Sequence, residues 1–380
     1  MNELFDICGI PAFLEPWISR FYTPLEIDLL TALNGKPMTA DEVHQKRGAE
    51  MSDRFLERAW RRGVLRRLDD GRIAPADFHV RFESWALFEG WQDLPEDIQK
   101  RLNRWELAYY TARHHGTVAS LKAGHPRPVA EACPEYLLME EVARLFARIG
   151  HFYLWPCNCR AMVRGCNQPQ LTCIRFSNPR NIGWEISRER ALSVVKEANR
   201  QGLMQSAELA VDRQGRVDGA LCNCCNDCCF PHQLARVLDA EKIWPLSRYR
   251  AQLSPEPCNG CGRCVRRCPF DAISQVKKKK GVQPPPPVIE TRLCRGCGVC
   301  ATGCPQEAIR MQKIRESLLE TYYTQRIQGE SAEGETVVSE PVIDKVRSRV
   351  SVVRSFSADL NGLSVPVKLH AVHPGEKQER

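Results

Sequence analysis

The chain has 380 residues, with 54 Lys and Arg against 46 Asp and Glu, and a formal net charge of +8. Its hydrophobic content of 43% is ordinary for a globular protein, and its length allows two to three domains. Residues 1–6 are acidic rather than a secretory start, and no window approaches the roughly 20 apolar residues that a membrane span needs. We therefore expect a cytoplasmic protein without a membrane span, in which thiols stay reduced.

The first elements that the sequence predicts are three short helices followed by a hairpin. Pro24–Leu33 follows a capping threonine, Thr39 and Glu42 form a capping box, and Ser52 precedes a third helix. The Asp-Gly turn at 70–71 lies between two short apolar runs, which is a hairpin signal. This order resembles the winged helix-turn-helix superfamily.

The resemblance implies either DNA binding or a docking role. Six arginines could meet phosphates, and they are Arg58, Arg61, Arg62, Arg66, Arg67 and Arg72. Glu50, Asp53 and Glu57 interrupt this basic surface near the third helix. We therefore favour a docking or dimerisation module, with DNA as the less favoured partner, because fold does not fix function.

A helical segment follows. Residues 95–115 and 134–149 both carry apolar stripes at helical spacing, and we expect the first helix to end at Gly116. His114 and His115 would then face the dipole at the helix C-terminus. These stripes predict core packing rather than a cofactor site.

The segment from 151 to 232 contains nine cysteines in two thiol-rich loops around a predicted helix that Ser187 caps. They are Cys157, Cys159, Cys166, Cys173, Cys222, Cys224, Cys225, Cys228 and Cys229. Nine thiols are hard to explain as core packing, and soft thiolates select zinc, copper(I) or iron–sulfur clusters. The segment resembles Cys-rich modules that accompany ferredoxin domains in iron–sulfur proteins of anaerobes. One or two further [4Fe–4S] clusters are the favoured interpretation.

Three questions about this module stay open. Structural zinc is the alternative, and an unusual cluster that uses adjacent cysteines is a third reading. Adjacent thiols can hardly serve one corner of a regular cubane, so we expect at least one of the nine to be no ligand. Arg160 could offset the negative charge of a cluster or could be an ordinary surface arginine.

Cys8 and Cys133 have no metal-spaced neighbours and are treated as ordinary thiols.

Two further cysteine runs share the pattern C-x2-C-x2-C-x3-C-P. The first begins at Cys258 and ends at Cys268-Pro269, and the second begins at Cys294 and ends at Cys304-Pro305. This run is used to hold [4Fe–4S] clusters, with the fourth cysteine serving the cluster of the other run. Zinc ribbons use pairs rather than triplets, so the pattern favours iron–sulfur over zinc.

This region resembles the bacterial ferredoxins with two [4Fe–4S] clusters, because both runs also continue as C-P-x-x-A-I. The resemblance implies that cluster I takes Cys258, Cys261, Cys264 and Cys304. It implies that cluster II takes Cys294, Cys297, Cys300 and Cys268. An insert with lysines at 277–280 and prolines at 284–287 departs from a minimal ferredoxin.

The expected fold class is α+β and multidomain. The predicted parts are a winged-helix-like domain at 1–80, a helical segment at 81–150, a Cys-rich α/β module at 151–232, a ferredoxin-like two-cluster domain at 233–312, and a helix with a docking or disordered tail at 313–380. The tail has short strand potential between 342 and 370.

The sequence favours an iron–sulfur electron-transfer protein, a subunit or dedicated partner of a larger anaerobic oxidoreductase. No dinucleotide fingerprint, P-loop, zinc-protease motif or nucleophile elbow is present. We therefore favour a protein that carries electrons over an enzyme, and we assign no catalytic residues. The expected partners are flavoproteins or other iron–sulfur subunits. A redox-sensing winged-helix regulator and an enzyme acting at an unusual central cluster are the alternatives.

Overall fold

A computed structural model describes residues 2–124, 133–211, 217–276 and 284–321, together with two backbone strands in the tail. It has mixed helices and strands, in agreement with the α+β expectation. The chain divides into two units, the first made of residues 1–113, 179–182 and 334–380, and the second of residues 114–178 and 183–333. Among the described residues, no helix combines the length and the apolar character needed to cross a bilayer.

The first unit begins with helices and one hairpin. The elements are α1 (Asn2–Cys8), α2 (Ile18–Phe21), α3 (Pro24–Leu33), α4 (Ala40–Arg47), α5 (Asp53–Arg61), β1 (Leu65–Arg67), β2 (Ile73–Pro75) and α6 (Phe78–Phe88). Helix α7 (Glu96–Lys122) begins in this unit, and its residues from 114 onward belong to the second. The predicted capping box forms at Thr39 with Glu42, and the predicted cap Thr23 also forms a capping box, with Glu26. Strands β1 and β2 pair antiparallel around the expected turn. The predicted helices and hairpin are therefore confirmed.

Helix α7 differs from its prediction. It continues through Gly116 to Lys122. Val118, two residues beyond the glycine, is only 1% exposed, so burial there outweighs the helix penalty of the glycine. His114 therefore lies inside the helix rather than at its C-terminus, and its ring lies 4.9 Å from that of Trp244.

The second unit is built on a six-stranded antiparallel sheet with the order β3-β7-β8-β5-β4-β6. Its elements are β3 (Glu135–Tyr136), α8 (Met139–Ala147), β4 (Phe152–Pro156), α9 (Asn158–Val163), β5 (Leu171–Arg175), β6 (Trp184–Ile186), α10 (Arg188–Arg200), β7 (Met204–Val211), β8 (Val217–Cys224) and α11 (Phe230–Val237). Ser187 caps α10 as predicted. The main core lies between this sheet and helices α8 and α10, around Phe146, Ile174 and Val195.

The helix predicted over 134–149 is wrong in its first part. Glu135 and Tyr136 form a strand that pairs with Ala207 and Ser206 of β7, and the helix starts only at Met139. A long-range strand partner, which local periodicity does not reveal, decides the conformation there.

The segment after α11 folds into two small antiparallel sheets and two short helices. They are β9 (Tyr249–Leu253), α12 (Arg263–Arg267), β10 (Ile273–Ser274), β11 (Val288–Ile289), α13 (Val299–Thr302) and β12 (Ile309–Lys313), with β9 paired to β12 and β10 to β11. In the tail, β13 (Phe356–Leu360) and β14 (Leu363–Val367) form a hairpin, consistent with the expected strand potential. The lysines at 277–280 and the part of the expected tail helix beyond residue 321 lie outside the described residues.

Candidate metal centres

Glycine turns shape both ferredoxin-like cysteine runs. Gly260 and Gly296 occupy equivalent positions with φ of 66° and 71°, in the left-handed region that disfavours a side chain. A Cβ on Gly260 would lie 2.4 Å from the Pro284 carbonyl oxygen, and one on Gly296 would lie 2.1 Å from that of Tyr249. Only glycine allows the backbone to lie this close to the neighbouring carbonyl group at these two positions.

One cavity of about 310 Å³ lies between the start of the first run and the end of the second. Four cysteines line it, and they are Cys258, Cys261, Cys264 and Cys304. Cys261 is exposed, whereas Cys264 is buried. We call this space cavity 1.

A second cavity of about 330 Å³ lies between the end of the first run and the start of the second, and we call it cavity 2. Its four cysteines are Cys268, Cys294, Cys297 and Cys300. Cys297 and Cys300 are both buried. The structure thus brings each predicted set of four cysteines to one cavity, with the last cysteine of each run lining the cavity of the other.

The repeated C-P-x-x-A tail has a local role. The backbone N–H of Ala272 donates to Cys268 Sγ at 3.3 Å, and that of Ala308 donates to Cys304 Sγ at 3.3 Å. Such N–H groups stabilise thiolates and help to set cluster potentials. Burial raises the pKa of Cys297 to about 12, so in this cavity a bound cation has to displace the thiol proton.

In the second Cys-rich segment, the two loops interleave rather than forming separate groups. Six thiols make a continuous series of sulfur–sulfur contacts, in the order Cys157, Cys159, Cys229, Cys224, Cys222 and Cys173. We call this set the six-thiol group. It takes members from both loops because β8 lies beside β5 in the sheet.

The other three thiols form a second set, the three-thiol group. The Sγ atoms of Cys166, Cys225 and Cys228 all lie within 4.8 Å of one another. Cys224 and Cys225 are adjacent in sequence but belong to different groups. The same is true of Cys228 and Cys229. At the end of β8 successive side chains point to opposite sides, so neighbouring thiols diverge.

Arg160 lies between the loops and is only 2% exposed, so the surface-arginine reading is wrong. Its Nη1 donates to the Asn223 carbonyl oxygen at 2.9 Å, and its Nη2 donates to the Thr172 hydroxyl. Burial on its own lowers the pKa of Arg160, but the surrounding thiols, Cys157 first, raise it overall. The guanidinium therefore supplies a fixed positive charge among the cysteines.

His232, which sequence reasoning did not single out, is buried beside the Cys225 loop. Its Nε2 lies 2.9 Å from the Tyr136 hydroxyl, and its Nδ1 lies 3.1 Å from the Cys225 carbonyl oxygen. Burial lowers the pKa of His232 to about 4. The ring is therefore a neutral support for the loop near neutral pH.

The six-thiol group adjoins cavity 2. Cys224 and Cys229 pack in one hydrophobic cluster with Cys297 and Tyr136. Nearby, the Asn226 side-chain amide donates to the Pro269 carbonyl oxygen at 2.8 Å. Local sequence patterns could not reveal these contacts, because the hydrogen bond joins residues 43 positions apart and the cysteine packing joins residues about 70 apart.

Residues 257–309 match the family model described as a 4Fe-4S dicluster domain. This part of the chain is therefore a ferredoxin-type domain for [4Fe–4S] clusters, and its chemistry is iron–sulfur electron transfer. A search of curated proteins finds no match to the chain.

Proposed function

We propose that this chain is an electron-transfer subunit or dedicated partner of a larger anaerobic oxidoreductase. The observation that carries the proposal is the pair of four-cysteine cavities within the segment that matches the dicluster family. A bound cubane accepts or donates one electron at a potential set by charge, N–H···S bonds and burial.

The proposed ligand sets follow the two cavities. Cluster I is held by the cysteines of cavity 1, which are Cys258, Cys261, Cys264 and Cys304. Cluster II is held by those of cavity 2, which are Cys268, Cys294, Cys297 and Cys300. The six-thiol group offers the ligands of one further cluster, with some of its thiols left unbound to iron.

The exposure of the cysteines suggests an order for the relay. Cys261 at cavity 1 is exposed, so an outside redox protein can approach this end closely. Cys297 at cavity 2 packs against Cys224 and Cys229 of the six-thiol group. Electrons would pass between a redox partner at cavity 1 and the central module by way of cavity 2.

For the first unit, we favour a winged-helix-like docking domain over a DNA-binding one. Four of the six arginines considered for phosphate contact are held by carboxylates of the same unit. The pairs are Arg61 with Glu57, Arg62 with Glu26 and Glu89, Arg67 with Glu57, and Arg72 with Asp70. Paired guanidiniums offer less charge to a phosphate backbone.

Anaerobic iron and sulfide counting with EPR of the dithionite-reduced protein tests the proposal. We expect about twelve irons per chain, at four per cubane, and at least two clusters' worth of spin. Cys304→Ser should diminish the signal of one cluster, whereas Cys133→Ser, a buried cysteine outside both cavities, should leave the spectrum unchanged. Spin for fewer than two clusters in the wild type would end the proposal.

A further inference from the structure

The sulfurs of the three-thiol group lie too close together for a cubane. Cys228 Sγ is 3.6 Å from Cys166 Sγ, and all three sulfurs lie within 4.8 Å of one another. With metal–sulfur bonds of about 2.3 Å, tetrahedral ligands to one zinc ion sit roughly 3.8 Å apart. The thiolates of a cubane each bind a different iron, which separates them by about 6 Å.

The other cysteines differ in this respect. Among the described residues, no three sulfurs of cavity 1, cavity 2 or the six-thiol group lie within 4.8 Å of one another. The cysteines of cavities 1 and 2 surround space, whereas the sulfurs of the three-thiol group are close enough to share a single ion. Among the described residues, the three-thiol group is therefore the one set in which three sulfurs are mutually close enough to bind a single ion.

The surroundings of the three sulfurs suit thiolates bound to a metal. The backbone N–H of Gly165 donates to Cys228 Sγ at 3.2 Å, and that of Cys228 donates to Cys225 Sγ at 3.4 Å. The buried Arg160 guanidinium lies within electrostatic reach of Cys225. A divalent ion with three thiolates carries one net negative charge, which the buried guanidinium balances.

Cys159 packs against the cluster that contains Cys225 and Cys228, but its thiol contacts those of Cys157 and Cys229. In the described part of the chain, no fourth Cys, His, Asp or Glu ligand atom lies within 4.8 Å of all three sulfurs. His232 is near, but both of its ring nitrogens are in hydrogen-bond contact with other groups. Asp227 is exposed, and Cys166 is half-buried, so the Cys166 side of the group can be reached from solvent.

We propose that Cys166, Cys225 and Cys228 hold a single Zn²⁺ ion whose fourth position is taken by water or another small ligand from outside the chain. Three protein ligands with one open position are characteristic of zinc sites that act on a ligand, whereas structural zinc sites are closed. The inference does not depend on the electron-transfer proposal, because zinc carries no redox step.

The test measures zinc and iron per chain on the anaerobically purified full-length protein. We expect about one zinc in the wild type. Cys166→Ser should lose the zinc and keep all of the iron, whereas Cys261→Ser should keep the zinc and lose iron. Co²⁺ exchanged into the zinc site should show the intense absorption of a tetrahedral thiolate complex, and added cyanide should shift it.

The variants also separate the competing outcomes. A loss of about four irons in Cys166→Ser would mean that the three-thiol group holds a cubane, and would overturn the proposal. Unchanged zinc in that variant would equally overturn it. Asp227→Asn should retain the zinc and the cyanide response, and loss of zinc there would show a closed site with a fourth protein ligand. Retained cluster EPR signals in Cys166→Ser and Asp227→Asn, and the retained zinc in Cys261→Ser, show that the chain is folded.

Discussion

At the scale of single residues, the two ferredoxin-like runs depend on a backbone conformation that sequence motifs do not display. Asp271 and Glu307 occupy equivalent places in the two C-P-x-x-A tails, and both have a positive φ, 51° and 48°. This left-handed step turns the following N–H of Ala272 or Ala308 towards the cysteine sulfur. The C-P-x-x-A motif was recognisable from the sequence, but its backbone conformation was not. Neither Asp nor Glu signals a positive φ in the way that glycine does.

Substitution at Glu307 tests that reading. Glu307→Val should destabilise the holo-protein by about 1–2 kcal/mol, because a β-branched residue resists the left-handed region. Glu307→Gly should be neutral or slightly stabilising. Arg310→Val, at an exposed position in strand β12, is the matched control and should cost little. The measurement is urea unfolding under anaerobic conditions, and equal stability of the valine and glycine variants at 307 would refute the reading.

At the scale of elements, a buried charge network fixes β3 and α8 to the chain that enters β9. Arg248 is 1% exposed and contacts Glu135 at 3.2 Å and Glu141 at 2.8 Å, while its Nη2 donates to the Tyr136 carbonyl oxygen. Burial raises the pKa of Glu135, and Arg248 opposes that shift. The short strand that replaced the start of a predicted helix is held by these long-range partners.

Arg248→Met should therefore destabilise the protein by about 3–5 kcal/mol, since it leaves a carboxylate buried without its cation. Arg292→Met is the control, because Arg292 pairs with Glu290 at the surface with an 85% exposed side chain and should cost less than about 1 kcal/mol. Chemical denaturation followed by circular dichroism gives both values. A similar small loss for the two variants would show that the buried network adds no stability.

At the scale of the whole molecule, the sequence predicted the separate segments. The structure shows how the central Cys-rich module and the ferredoxin-type domain join within the second unit. Both cavities contain the cysteines that motif spacing and family resemblance indicated. The regrouping of the nine central thiols could not be predicted, because it follows from the pairing of β5 with β8 and from side-chain alternation at Cys224 and Cys225. Loop order along the chain suggested two groups by position, whereas the pairing of β5 with β8 brings Cys173 of the first loop beside Cys222 and Cys224 of the second.

The join itself centres on Arg267 of α12. Its Nη1 donates to the Arg200 carbonyl oxygen at 2.7 Å, its Nη2 to that of Asn199 at 2.7 Å, and its Nε to that of Val299 at 3.0 Å. The first two acceptors end helix α10 of the central module, where a cation is favourable. A Cβ on Gly303 would lie 2.0 Å from Arg267 Nε, so the glycine leaves room for this side chain.

Gly303→Ala should thus displace Arg267 and cost about 2–3 kcal/mol of stability, the scale of hydrogen bonds to a charged group. Arg267→Ala should cost a similar amount. The double variant should cost no more than Arg267→Ala alone, because the three atoms nearest to the new methyl group all belong to the Arg267 side chain. This non-additivity distinguishes a clash with Arg267 from a general helix effect. Full additivity in urea unfolding of the holo-protein would mean that Gly303 acts independently of the arginine, and that the central module and the ferredoxin-type domain are not joined through this contact.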